Sequence, residues 1–493
     1  MKPSLQARDA LPRMAALIAS ATILLFGLAF RCDCLLLAIL VLWASSMCFL
    51  CAKLDRHGFF ALFLCAFFVF LVGAQTMKEF FGIRMYWDYD GPTYAHLNFS
   101  VLLSLACLLV GYGTVYFQKM RWSLPATAIQ APPRAEKNEW VKYISKISFF
   151  VLCIPWFLLL AEQSLTAQKG SYVDYYSFTS RFPAFVTTLA FMCPFSFCTF
   201  LGTFPSKREA RLPMALVVVY AFASLLIGRR MYFVSYILLL LGYALYRNSD
   251  KSEKEVWLSK KQIAALLCLI PLLLVFLYSY RYIRYGKQVA ASGFWEALLG
   301  FFAQQGYSAN LIPLGKLFET QLPDDLYSFF DTVRLWRLSP IPQILTGQDF
   351  LPYYTGSRAH LAIYSGSYAR IISLLCMPQA YMAGYGTGSC YVAELYHDFG
   401  YPGICIGNCF LGALFAWFVA PARERWLRNA IGLAMFPRFL MLPRYNFDNV
   451  CYFLLSPSFW LYIGLISVLV DEMLALGTTR QSTSPPSRNL PLP

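Results

Sequence analysis

The sequence predicts an all-α polytopic membrane protein of about twelve transmembrane helices, with one large outer loop carrying short interfacial helices. Three observations predict it. The 493 residues are 58% hydrophobic and only 14% charged, where a soluble domain runs nearer ~45–50% and ~25%, and mean hydropathy is +0.52. Apolar runs approaching the roughly 20 residues of a helical span recur along the chain. Lys and Arg gather in alternate connecting segments, as the positive-inside rule demands. Together these exclude a soluble enzyme and a disordered chain. They also give the net charge of +15 a topological reading rather than a nucleic-acid one.

Taken in order, the first run, Met14 to Phe30, follows Lys2, Arg8 and Arg13. That start resembles a signal peptide, but a second run, Leu35–Cys51, follows closely with no clear cleavage site between them, so the pair reads as a helical hairpin. Then come Gly58–Thr76, Leu97–Phe117, Ile147–Ala161, Ala184–Phe204, Pro213–Ile227, Met231–Tyr246 and Ile263–Tyr280. After a long interruption follow Tyr401–Val419, Ala430–Leu442 and Tyr452–Val470, twelve runs in all. With the N-terminus inside, the inner loops hold clusters such as Lys207, Arg208 and Arg211, or Arg247, Lys251 and Lys254. Both termini then fall on the cytoplasmic side. Residues 1–280 form nine spans, 281–400 the outer loop, 401–470 three spans, and 471–493 a polar, Pro-rich tail expected to be disordered.

A structureless loop of roughly 120 residues would be unusual. This one contains an amphipathic stretch, Phe294–Gln305, and a short apolar one, Ser367–Met377, which read as helices lying on or dipping into the outer leaflet. The fifteen cysteines fall mostly inside apolar runs, where cysteine behaves as a small hydrophobe, and none has the spacing of a zinc site.

Three features suggest chemistry. Arginines outnumber lysines on the outer side. Arg229 and Arg230 fill a tight turn, Arg281 and Arg284 are spaced to share a helix face, and Arg438 and Arg444 bracket the end of the eleventh run, while Arg370 lies in the long loop. Guanidinium forks match phosphate oxygens and tolerate burial better than ammonium groups. The competing reading is that they snorkel to lipid headgroups. Second, Gly384-Tyr-Gly-Thr-Gly-Ser389 precedes a helix with Glu394, His397 and Asp398 at i, i+3 and i+4. Gly386, Gly388 and Ser389 expose backbone N–H groups, and a carboxylate or imidazole there can take a proton from a sugar hydroxyl. The alternatives are a glycine turn before a capped interfacial helix, and a Glu–His metal site with too few ligands. Third, outer segments such as Met85–Tyr94, Ser171–Tyr176 and Pro352–Gly356 are rich in aromatics and carboxylates. They suit sugar rings, or else form an ordinary aromatic belt.

Absences narrow the field. There is no Walker motif and no Gly-x-Ser-x-Gly elbow. Acidic residues are nearly missing from span centres, which argues against an ion-coupled transporter.

The layout, many spans with one large outer loop before the last three, resembles the O-antigen polymerases of the Wzy type. So does the stretch Gly386-Thr-Gly-Ser-Cys-Tyr-Val-Ala-Glu394 running through Phe399-Gly400 to Gly403, Gly407 and Gly412, and the element Gly228-Arg-Arg230. The resemblance implies a GT-C-like, metal-independent membrane glycosyltransferase at the periplasmic face of the bacterial inner membrane. Donor and acceptor would both be undecaprenyl-pyrophosphate-linked oligosaccharides, with a chain-length regulator as partner and no cofactor, metal or nucleic acid. On that reading Arg229, Arg230, Arg281 and Arg284 hold pyrophosphate, with Arg370, Arg438 and Arg444 as further candidates. Glu394, His397 or Asp398 activates the acceptor hydroxyl. An O-antigen ligase and a lipid-linked oligosaccharide flippase are the alternatives.

Overall fold

The computed structural model describes residues 5–29, 32–84, 87–122, 132–169, 180–248, 255–284, 293–323, 328, 347, 357–418 and 425–483. Among them every regular element is helical. The first half contains α1 (Leu5–Ala29), α2 (Cys34–Ala52), α3 (Leu54–Phe67), a π turn (Phe68–Val72), α4 (Gly73–Phe81), α5 (Gly91–Trp122), α6 (Pro132–Lys169), α7 (Ala184–Gly202), α8 (Lys207–Ala223), α9 (Arg230–Asn248) and α10 (Lys260–Arg284). The long loop supplies α11 (Phe294–Gln305), α12 (Leu311–Leu317), α13 (Arg358–Tyr364), α14 (Tyr368–Cys376) and α15 (Pro378–Met382). The chain closes with α16 (Tyr391–Phe418), α17 (Trp426–Met441) and α18 (Pro457–Thr483). Local chemistry sets several of these boundaries. Asp33 caps α2 by accepting from Leu36 N at 2.9 Å, and Ser206 and Glu209 close a capping box on α8.

Nine described helices are long and apolar enough to cross a membrane: α2, α3 with α4, α5, α6, α7, α8, α10, α16 and α18. The other three expected runs are helical but fall short of that measure. The apolar stretch of α1 spans Pro12–Leu25. α9 carries Tyr232, Tyr236, Tyr243 and Tyr246 between Arg230 and Arg247, which lowers its hydropathy. α17 has 16 residues and holds Pro437 and Arg438. Length and composition therefore support nine spans where the sequence reading counted twelve. Arg247, read as a loop cation, is only 1% exposed. It donates to the Pro205 carbonyl and the Tyr243 hydroxyl, each at 2.8 Å, and lies 4.6 Å from the Trp257 ring. α18 continues to Thr483, so residues 471–483 of the tail expected to be disordered are helical.

The tightest seam joins α5 to α16. A Cβ on Gly111 would sit 2.0 Å from the Cys409 carbonyl oxygen, and one on Gly412 would sit 2.2 Å from that of Leu108. Small residues let two membrane helices approach at backbone distance. The same seam buries a polar triad. Ser104 Oγ lies 2.9 Å from the Tyr391 hydroxyl, and the Asn408 carbonyl accepts from both at 2.8 Å. A buried network whose members satisfy one another fixes helix register. At Gly400, φ is 64° and ψ −158°, a region essentially reserved for glycine. There α16 breaks into residues 391–399, expected as an interfacial helix, and residues 401–418, expected as a span.

The loop helices form at the expected positions, α11 over the amphipathic stretch and α14 within the short apolar one. α14 is a packed element. Tyr368 and Ile372 are 0% exposed and Ser373 1%, and the Tyr368 hydroxyl donates to the Leu311 carbonyl at 2.9 Å.

Candidate active site

α8 and α9 meet in a turn that Gly228 makes with a left-handed φ of 85°, placing Arg229 and Arg230 at one end of the bundle. Arg230 donates to the Leu277 carbonyl of α10. Arg229 donates to the Tyr232 hydroxyl at 2.9 Å and lies over that ring. α17 ends beside this turn, because the Tyr445 hydroxyl donates to the Met231 sulfur at 3.0 Å. On α17, Arg438 donates to Asn449 Oδ1 at 3.5 Å and lies over the Phe453 ring, with Tyr232 and Tyr236 among its electrostatic neighbours. Just beyond α17, exposed Arg444 donates to Gln305 Oε1 of α11 at 3.2 Å and rests 5.5 Å from the Phe70 ring in the π turn. Four predicted arginines, 229, 230, 438 and 444, are thus brought to one junction from two separate parts of the chain. Half-buried and exposed guanidinium groups over aromatic rings form an anion-attracting surface.

Arg370 is elsewhere. It is on α14, and its Nη1 is buried with no hydrogen-bond partner among the described residues. Its neighbour is Tyr381, which Arg358 also approaches, and the two cations oppose the effect of burial, which raises the tyrosine's pKa. Arg281 and Arg284 belong to the last turn of α10, but their side chains lie outside the described residues, as do Met85 and Tyr86, all of 170–179 and residues 352–356.

The glycine loop is pinned between the arginine junction and α14. Ser373 Oγ accepts from Thr387 N at 2.9 Å and lies 2.9 Å from the Thr387 hydroxyl. Gly388 has φ 78°, and a Cβ there would come 3.8 Å from the Arg444 carbonyl oxygen. Gly386 would have room for one, 3.5 Å from Ser373 Oγ.

Glu394, His397 and Asp398 stand on one short helix but serve different neighbours. Glu394 is 0% exposed. One carboxylate oxygen accepts from Ser389 Oγ and the other from Phe447 N at 2.9 Å, so it ties the glycine loop to the segment after α17. Asp398 accepts from Ser328 N at 3.2 Å and Ser328 Oγ at 2.9 Å. His397 lines a small pocket with Ala393 and Tyr396 of its own helix, Ile312 and Gly315 of α12, Glu319 and Tyr368. The helical spacing correctly puts the three residues near one another, but it does not distinguish a buried clamp, a loop anchor and a pocket wall. Among the described residues no group of three or more His, Cys, Asp or Glu is placed to hold a metal ion.

Residues that the sequence did not single out include Gln305, Phe447, Asn449 and Glu319. Gln305 and Phe447 acquire their roles through contacts spanning 139 and 53 residues, and Asn449 and Glu319 sit in short segments without a motif. The model of one protein family, O-antigen polysaccharide polymerase Wzy, matches residues 14–475. No curated protein and no solved structure compared with the chain matches it.

Proposed function

The chain belongs to the O-antigen polysaccharide polymerase Wzy family, and from that premise we propose that it joins lipid-linked oligosaccharide repeat units into O-antigen. The donor is an oligosaccharide on undecaprenyl pyrophosphate and the acceptor a second such unit. The observation that carries this reading is the junction of Arg229, Arg230, Arg438 and Arg444 at one end of the bundle, beside the clamped glycine loop. Transfer breaks the bond between the donor's anomeric carbon and its pyrophosphate, forms a glycosidic bond to an acceptor hydroxyl, and releases the hydroxyl proton. Negative charge develops on the departing pyrophosphate. Pre-placed guanidinium groups stabilise that charge more than they stabilise the bound donor, which is how such groups accelerate a reaction. The Gly386–Ser389 stretch brings backbone close to the same place, and Glu394 keeps it there.

Twelve spans, a GT-C arrangement, a periplasmic site in the bacterial inner membrane, cytoplasmic termini, metal independence and a chain-length regulator as partner belong to this proposal. Deletion of the gene tests it. A strain lacking the protein is expected to retain lipopolysaccharide with a single repeat unit attached, and the long-chain ladder returns on complementation. Bare core without any repeat unit would instead favour a ligase or a flippase.

A further inference from the structure

The pocket beside His397 serves neither the arginine junction nor the Glu394 clamp. We propose that it binds a hydroxyl of a repeat-unit sugar, making Glu319, His397 and Tyr396 recognition residues for the glycan. The proposal rests on the polymerase reading and adds to it a subsite that selects the saccharide.

The pocket is a crevice between two helical faces. Ile312, Gly315 and Glu319 follow at i, i+3 and i+7 along α12 and the turn after it, while Ala393, Tyr396 and His397 follow at i, i+3 and i+4 on the outer half of α16. Buried Tyr368 forms part of its lining. Gly315 is required there, since a Cβ would lie 2.2 Å from the Tyr368 hydroxyl. The cavity measures about 10 Å³, the space of about one water molecule and so of one hydroxyl oxygen.

Its chemistry suits a hydroxyl, which both donates and accepts. The Glu319 carboxylate accepts. Lys316 Nζ, which donates to Glu319 Oε2 and lies 3.3 Å from the Tyr396 hydroxyl, is a donor at the rim, and its pairing with Glu319 keeps it protonated by raising its pKa. The partly exposed Tyr396 ring offers flat apolar surface to sugar C–H groups. Behind Tyr396 lies His96, 7% exposed, its ring 4.4 Å from that of Tyr396. His96 Nδ1 is 2.8 Å from the Tyr401 hydroxyl, while its Nε2 is buried without a hydrogen-bond partner among the described residues.

Position separates this pocket from the reacting centre. His397 lies six residues past Tyr391, where the helix after the glycine loop begins, about 9 Å along its axis at 1.5 Å per residue, and on the far side of Glu394. A group at that distance from the loop meets a sugar ring away from the scissile bond.

The test uses purified full-length protein in detergent and two probes from the host strain: the lipid-linked repeat unit, and the free repeat-unit oligosaccharide released from it by mild acid. Equilibrium dialysis measures binding of the free oligosaccharide, and chain extension of the lipid-linked unit gives kcat and KM. E319A and H397N are expected to weaken oligosaccharide binding at least tenfold and to raise KM at nearly unchanged kcat. E319Q, the milder change should E319A fold poorly, is expected to lie between. Unchanged binding in all three variants would overturn the proposal. So would a loss of kcat at unchanged KM, which would make the pocket catalytic. Wild-type protein that binds the free oligosaccharide through these residues but never extends the lipid-linked unit would leave the pocket standing and remove the polymerase reading.

Discussion

Replacing Glu394 separates a clamp from a catalyst. Its carboxylate is fully buried and accepts from Ser389 Oγ and Phe447 N. Glu394→Ala leaves two buried donors unpaired. Each costs about 1–3 kcal/mol, so the variant should lose about 2–6 kcal/mol in the outer half of the bundle. Glu394→Gln behaves differently. Its carbonyl oxygen can face Phe447 N and its amide can donate to Ser389 Oγ, which rotates to accept. Only the charge assistance disappears, and charge-assisted bonds are roughly twice as strong as neutral ones, so the expected loss is about 1–2 kcal/mol. Thermal unfolding in detergent, read beside the lipopolysaccharide ladder, measures both effects. The expected order is wild type, then Gln, then Ala, for stability and chain length alike. If Glu394→Gln abolishes polymer while unfolding like wild type, the carboxylate is moving a proton and the clamp argument fails. If Glu394→Ala unfolds like wild type, the burial argument fails.

Other expectations concern the arginines and the helix seam. Arg444→Ala and Arg438→Ala should each lower polymerisation tenfold or more with modest stability loss. Arg444→Lys should recover little, since an ammonium cannot reproduce a planar fork on phosphate, and full activity in Arg444→Ala would remove that residue from the site. Arg370→Met should not destabilise the protein and should stabilise it by about 1–3 kcal/mol, because Nη1 is buried unpaired; a lower unfolding temperature would show that the guanidinium has a partner. Gly412→Leu should prevent accumulation of folded protein, measured by size-exclusion profile after extraction, since even a Cβ there meets the Leu108 carbonyl at 2.2 Å. A normal profile would mean that α5 and α16 lie farther apart.

Much of the fold was legible because membrane spans are read from composition alone. Each of the twelve apolar runs is helical over most of its described residues, and Gly400 marks the break in α16 where the loop was expected to end. The count exceeded the nine supported helices because a period-free apolar run does not show whether tyrosines and arginines inside it face protein or lipid; α9 and Arg247 are the example. The site was legible in its parts. Gly228-Arg-Arg230 and the Gly386–Glu394 stretch announced themselves, but their partners did not. Arg444 reaches Gln305 across 139 residues and Glu394 reaches Phe447 across 53, pairings set by helix packing rather than by local pattern. Nor did the spacing of Glu394 and His397 say which would be fully enclosed, since that depends on what α12 and the segment after α17 lay over them.

The close backbone approach that Gly111 makes to Cys409 and Gly412 makes to Leu108 divides the molecule by its tolerance for change. Any residue larger than glycine at that seam displaces two helices and, with them, the Ser104, Tyr391 and Asn408 triad. The loop helices α12 to α15 are short and stand outside that seam. Diversification toward new sugars can therefore proceed in residues 311–382 while the seam stays fixed. Exchanging that segment between polymerases of different repeat units is the economical route to altered selectivity, and libraries that spare glycines 111 and 412 will waste the fewest clones on unfolded protein.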